Sequence, residues 1–200
     1  MNSIHVVMIN GKPGAGKDEF VKQCRICLYN YCECVNISSV DIHKQILRKI
    51  GWDGETKSND VRELLCRMKE FSILHGDIPT KYMLDTIFSY IGKGSDYVVF
   101  CHIREVAEIK KLIRALRGLR CMGITYNTVF IRREDKIKSL NKDACCTSDD
   151  VDIEDFDYDF IIDNFGTLNS LKSKASRFIN YLRGEWKWIE KSLKRTLMKH

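Results

Sequence analysis

Gly11-Lys12-Pro13-Gly14-Ala15-Gly16-Lys17-Asp18 is the stretch that decides the fold. It is preceded by the apolar run Ile4 to Ile9 and followed directly by Glu19. A short β-branched run, a turn with three glycines and the start of a helix read as strand, loop and helix N-terminus. Gly11, Gly14 and Gly16 permit positive φ angles, so successive backbone N–H groups can converge on one anion without side-chain obstruction. The positive end of the helix dipole adds to that attraction. Lys17 is placed to reach the β- and γ-phosphates of a nucleoside triphosphate and to offset charge as a phosphoryl group moves. The nucleotide-binding candidates are therefore Gly11, Lys12, Gly14, Ala15, Gly16, Lys17, Asp18 and Glu19. One position departs from the pattern G-x-x-x-x-G-K-[ST]: Asp18 stands where a hydroxyl normally meets magnesium. A carboxylate can also hold Mg²⁺, directly or through water, which makes Asp18 the metal candidate.

Working outward, short apolar or β-branched runs at Ile4 to Ile9, Cys34 to Ile37, Tyr97 to His102, Thr125 to Ile131 and Tyr158 to Asp163 predict five strands. Such runs fit strands buried on both faces of a parallel sheet. Helical spacing fills the intervals. Val61, Leu64, Leu65, Met68 and Phe71 are expected to share one buried face, as are Val106, Ile109, Leu112, Ile113 and Leu116. A third stripe is Leu168, Leu171, Ala175, Phe178, Ile179 and Leu182. This alternation predicts right-handed βαβ crossovers in one α/β domain spanning residues 1–200. Two intervals exceed the needs of a simple crossover. Residues 38–96 have room for three helices and an acceptor-binding lobe, and the polar, acidic segment 132–157 reads as a lid.

With 200 residues, 44% hydrophobic and 30% charged, the chain is apolar enough to fold around one core and short for two. Met1 to Ile9 lacks a basic n-region and reads as a strand, not a signal peptide. No window approaches the ~18 apolar residues of a membrane span. Nine cysteines, an odd number scattered through helices and strands, argue against a secreted disulfide framework and for a cytoplasmic protein with reduced thiols. Cys24 and Cys27 have the spacing of zinc ligands. Yet Phe20, Cys24, Cys27, Leu28 and Tyr31 recur at helical spacing, which favours core packing. A net charge of +6 suits a protein that handles polyphosphates. Residues 185–200 read as a docked basic helix, the one segment with aromatics and basic residues interleaved, so nucleic-acid binding is not expected.

At Gly16-Lys17-Asp18 the sequence resembles the nucleoside-monophosphate-kinase-like group of P-loop kinases. Within it, the deoxynucleoside monophosphate kinases of bacteriophages and, more distantly, the animal-type phosphomevalonate kinases carry G-K-D. The segment Val98 to Ile109 extends the resemblance, since those families place an arginine and an acidic residue just after the corresponding strand. Gly51-Trp52-Asp53-Gly54 and Tyr158-Asp159-Phe160-Ile161-Ile162-Asp163-Asn164 are similar to segments of loosely described bacterial and phage nucleotide kinases. The resemblance implies a three-layer α/β/α P-loop fold with a five-stranded parallel sheet in the order 2-3-1-4-5. It also implies an acceptor lobe between strands two and three and a lid between strands four and five.

ATP with Mg²⁺ and a small phosphorylated acceptor are the partners so implied, a (deoxy)nucleoside monophosphate being the first choice. Lys17, Asp18, Arg104, Arg132 and Arg133 are the catalytic candidates. Arg104 leaves the carboxyl edge of a buried strand, where ligands bind in open α/β sheets; a salt bridge to Glu105 or Glu108 is the plainer alternative. Arg132 and Arg133 enter the lid segment and are otherwise a solvated strand end. Ser39, Asp41, Lys57, Arg62 and Arg104 are the acceptor-binding candidates, with helix capping the plain alternative for Asp41. For His102, a satisfied polar contact is favoured over acid–base work. A nucleotide-binding regulatory protein without transferase activity is the competing reading, because Asp18 is unusual and no Walker-B acid stands out.

Overall fold

The computed structural model describes residues 2–56, 58–133 and 155–197. Strands β1 (Ile4–Asn10), β2 (Glu33–Ser38), β3 (Tyr97–His102), β4 (Ile124–Arg132) and β5 (Phe160–Asp163) form one sheet in the order β2-β3-β1-β4-β5. Every adjacent pair is parallel. The architecture and strand order expected from the resemblance are those observed. All seven residues of β1 are buried, because this central strand is covered on both faces. Ile4, Val6 and Met8 pack against α4 (Ile78–Phe88) and α5 (Val106–Arg117) through Met83, Ile87, Ile109, Leu112 and Leu116. Val7 and Ile9 face α1 (Lys17–Leu28) and α6 (Leu168–Leu197) through Phe20, Cys24, Leu28, Leu171, Phe178 and Leu182. Three layers result, and the carboxyl ends of the parallel strands share one edge.

Two local expectations are corrected. β5 begins at Phe160, two residues later than the apolar run suggested. Asp159 uses its carboxylate to accept from Thr128 N (2.7 Å) and Thr128 Oγ1 (2.9 Å), so a side chain takes the place of a ladder carbonyl. Tyr158 stacks on Phe130, with ring centroids 5.1 Å apart. The second correction concerns α3 (Asn59–Leu74), which with α2 (Asp41–Lys49) and α4 fills the interval between β2 and β3. Its predicted stripe is not its most buried face: Leu64 and Phe71 are exposed and Val61, Leu65 and Met68 only half-buried, while Lys69 and Ser72 are buried. The helix turns toward polar neighbours at the sheet edge, a tertiary demand that outweighs its own amphipathic pattern.

Cys24 is buried and Cys27 half-buried in the α1 stripe, as expected, whereas Tyr31 is exposed under the guanidinium of Arg183, 3.6 Å from its ring centroid. Burial pushes the thiols of Cys32 and Cys34 up to about 12 and about 11. Among the described residues every cysteine is a free thiol, and no group of three or more His, Cys, Asp or Glu side chains could hold a metal ion. No helix among them is long and apolar enough to cross a membrane. Most of the expected lid, residues 134–154, and Lys57 lie outside the described residues, as do the side chains of the basic C-terminal segment.

Candidate functional site

The loop between β1 and α1 is held open by its backbone. Gly11, Gly14 and Gly16 all have positive φ (144°, 75° and 94°). Gly11 is required twice over, because a Cβ there would collide with the carbonyl oxygen of Ile131 on β4. Gly16 is the N-cap of α1 in left-handed conformation, and no side chain caps that terminus. The loop is closed on itself by Ala15 N–H donating to Lys12 O (3.1 Å). Lys17 Nζ donates to the carbonyl oxygens of Gly11 and Lys12, the latter at 2.9 Å, which holds the ammonium over the loop.

Two asparagines tie this loop to distant chain segments. Asn10, at the end of β1 and buried, donates through Nδ2 to Arg104 O (2.9 Å) and Tyr158 Oη (2.9 Å), and its Oδ1 accepts from Gly11 N (2.6 Å). Asn164 donates to Ala15 O (2.9 Å), and its backbone N–H donates to Arg132 O (2.7 Å). Neither residue was a sequence candidate. Their signal was weak, an asparagine at each of two strand ends, with the acceptors for their side-chain amides 94 to 149 positions away.

In front of the loop lies a cleft of about 290 Å³. One wall is Asn10, Gly11, Pro13, Lys17 and Asp18; the other comes from the ends of β2 and β3 and from α3, with Ser38, Ser39, Cys66, Lys69, Arg104 and Glu105 among them. Predicted residues Gly11, Lys17, Asp18, Ser39 and Arg104 thus meet in one space. The Asp18 side chain is 96% exposed, and its Oδ1 lies 3.9 Å from His102 Nε2. His102 bonds Asn36 Oδ1 at 2.8 Å. Burial lowers its pKa from the ordinary value, opposed by Asp18 and reinforced by Lys17. The imidazole is therefore neutral at pH 7 and serves as a polar wall.

Other candidates are placed elsewhere. Asp41 does not line the cleft; its carboxylate accepts from Ser38 N (2.7 Å) and pairs with Lys44 (2.8 Å), fastening the β2–α2 turn. Arg62 is an exposed residue of the first turn of α3 and does not line the cleft either. Glu19 accepts from Gln23 along α1 (2.6 Å). Arg132 and Arg133 diverge: Arg132 Nε donates to Asp163 (2.7 Å) and its guanidinium lies over Phe165, whereas Arg133 reaches back to Gly14 O at 3.2 Å. Next to Arg104 in sequence, Glu105 pairs with Lys69, and Glu108 pairs with Lys111.

No protein-family model matches the sequence, and no curated protein matches it. Solved structures do. An unliganded sugar kinase from Janibacter sp. HTCC2649 aligns over 89% of this chain and 95% of its own, with a TM-score of 0.50 and 12% identity. The APS kinase of Mycobacterium tuberculosis, as a mutant, aligns over 92% and 99%, with a TM-score of 0.45 and 15% identity. Sheet order, loop geometry and the first of these neighbours agree. The chain has the three-layer α/β/α P-loop fold. Free amides at a helix N-terminus, as at the start of α1, can bind an anion. Asp18 is the exposed oxygen donor beside them, and with one carboxylate on offer a magnesium ion would draw its remaining ligands from phosphates and water.

Proposed function

We propose that this protein transfers the γ-phosphoryl group of ATP to a small acceptor bound in the same cleft, with a (deoxy)nucleoside monophosphate as the acceptor. The observation that carries this reading is the shared space: the loop with Lys17 and Asp18 forms one wall, and Ser38, Ser39, Lys69 and Arg104 form the other. Direct transfer requires donor and acceptor in line in one cavity, whereas a nucleotide-binding regulator has no need of a second wall. Lys17, Arg104 and Arg133 supply positive charge around the transferring group, and Arg132 is braced against Asp163 to carry the chain away from β4. Asp18 would help to hold Mg²⁺, which would supply charge neutralisation. Free thiols among the described residues fit a reducing, cytoplasmic setting.

The test is ADP formation from ATP and Mg²⁺ across a panel of nucleoside and deoxynucleoside monophosphates. Acceptor-dependent ADP is the expected result; tight nucleotide binding without acceptor-dependent turnover refutes the transferase reading. Lys17→Ala should lower kcat by at least ~100-fold with unfolding unchanged, because the ammonium acts on the transferring charge and not on the core.

A further inference from the structure

Helix α3 spends its buried face on Lys69 and Ser72 while Phe71 and Leu74 stay exposed. The Lys69 side chain is only 7% exposed and its Nζ contacts Glu105 Oε2, whose side chain is 23% exposed. Beneath it, Ser72 Oγ donates to Lys69 O (2.8 Å), so the buried His43 Nε2–H donates to Ser72 Oγ (2.8 Å). Burial and the adjacent Lys69 charge both lower the His43 pKa, which keeps that imidazole neutral. A buried ion pair is weak as a stabilising device, since apolar residues of similar volume generally hold such a site as well or better. Three features point instead to a ligand. Both charged groups line the cleft and not the core. Glu105 occupies the N-cap position of α5 yet makes no side-chain cap hydrogen bond there. Lys69 sits three residues after Cys66, which lines the same wall, so one face of α3 is turned to the cleft.

We infer that Lys69 is the receptor for the acceptor's anionic group, and that Glu105 is an internal stand-in for that anion, displaced when the acceptor binds. This rests on the kinase reading above and names the residue that would receive the phosphate of that acceptor. A free, desolvated ammonium facing an empty cleft would be costly, and a tethered carboxylate offsets its charge until the substrate does so. Displacement also couples α3 to substrate: the Lys69–Glu105 contact joins the lobe helix to the segment that follows β3, so exchanging it re-sets the wall opposite the loop. Lys69 thereby acts as a binding residue and Glu105 as a positioning residue.

Calorimetry on the full chain separates the cases. The loop is first saturated with Mg²⁺ and a non-hydrolysable ATP analogue; each nucleoside monophosphate, and inorganic phosphate as the minimal probe, is then titrated. Lys69→Met should weaken monophosphate binding at least ~10-fold, and Lys69→Arg should restore most of it. Glu105→Gln should tighten monophosphate and phosphate binding several-fold, because the competing anion is gone. Glu105→Gln leaving affinity unchanged, or weakening it, overturns the inference, as does Lys69→Met with unaltered affinity in a protein whose unfolding transition is intact. Lack of binding by the ATP analogue is a different failure and sinks the kinase reading itself.

Discussion

Replacing Asn10 by leucine is the perturbation that bears most directly on how the site is held. Leucine keeps the branching and heavy-atom count of asparagine but has no polar atom, and three groups lose their partner together: Gly11 N–H, Arg104 C=O and the accepting Tyr158 Oη. At about 1 kcal/mol for each intramolecular hydrogen bond the loss is about 3 kcal/mol, and more where a donor is left buried and unsatisfied. For a chain of this length that corresponds to a fall in Tm of about 6–12 °C. The effect should extend beyond stability, because Gly11 opens the phosphate loop and Arg104 begins the opposite wall of the cleft. Affinity for Mg²⁺ and a non-hydrolysable ATP analogue should drop by about tenfold. Urea unfolding followed by circular dichroism measures the first quantity and calorimetry the second. A loss of stability below ~1 kcal/mol, with nucleotide affinity intact, would show that Asn10 does not clamp the loop.

Two further outcomes follow from the same geometry. Gly11→Ala should destabilise by more than ~2 kcal/mol, since it combines positive φ with a collision against Ile131 O, whereas Gly14→Ala, with open space around its Cβ, should cost about 1 kcal/mol; similar unfolding midpoints for the two variants would contradict the close approach of loop and β4. His5 is fully buried beside Thr125, and burial lowers its pKa to about 4. The unfolded chain takes up this proton near pH 6.5 and the folded chain only near 4, so its contribution is complete above pH 7 and is lost as pH falls between those values, on the order of 3 kcal/mol. Unfolding free energies at pH 7.5, 5.5 and 4.5 should fall less steeply for His5→Gln than for the parent, and parallel slopes would refute a neutral buried imidazole.

The strand, loop and helix at residues 4–28 were legible because everything that forms them is local: β-branched residues, glycines at fixed offsets, and an apolar stripe at helical spacing. The same local logic located β3, α5 and the buried stripe of α6 from Leu171 to Leu182, although Leu168, expected in that stripe, is exposed. Strand order was not local and came from the resemblance of a few motifs, which the sheet then matched. Where local pattern failed, it failed at the site. The apolar spacing of α3 pointed to Leu64 and Phe71 as core, but both are exposed, and the helix buries Ser72 against His43 and turns Lys69 to the cleft. Asp41 looked able to meet a ligand and instead closes a turn, while Arg132 and Arg133, neighbours in sequence, go to Asp163 and to the phosphate loop.

What the sequence by itself determined is the glycine-rich loop between β1 and α1 and the alternation of strands and helices, since both follow from residues within one turn or one strand of each other. The tertiary structure alone decided which polar groups hold that element and which line the cleft. Asn10 finds Tyr158, Asn164 finds Ala15 and Lys69 finds Glu105 across separations of 148, 149 and 36 residues. A hydrogen bond or ion pair depends on distance in space, and a parallel sheet brings the carboxyl ends of strands remote in sequence to one edge.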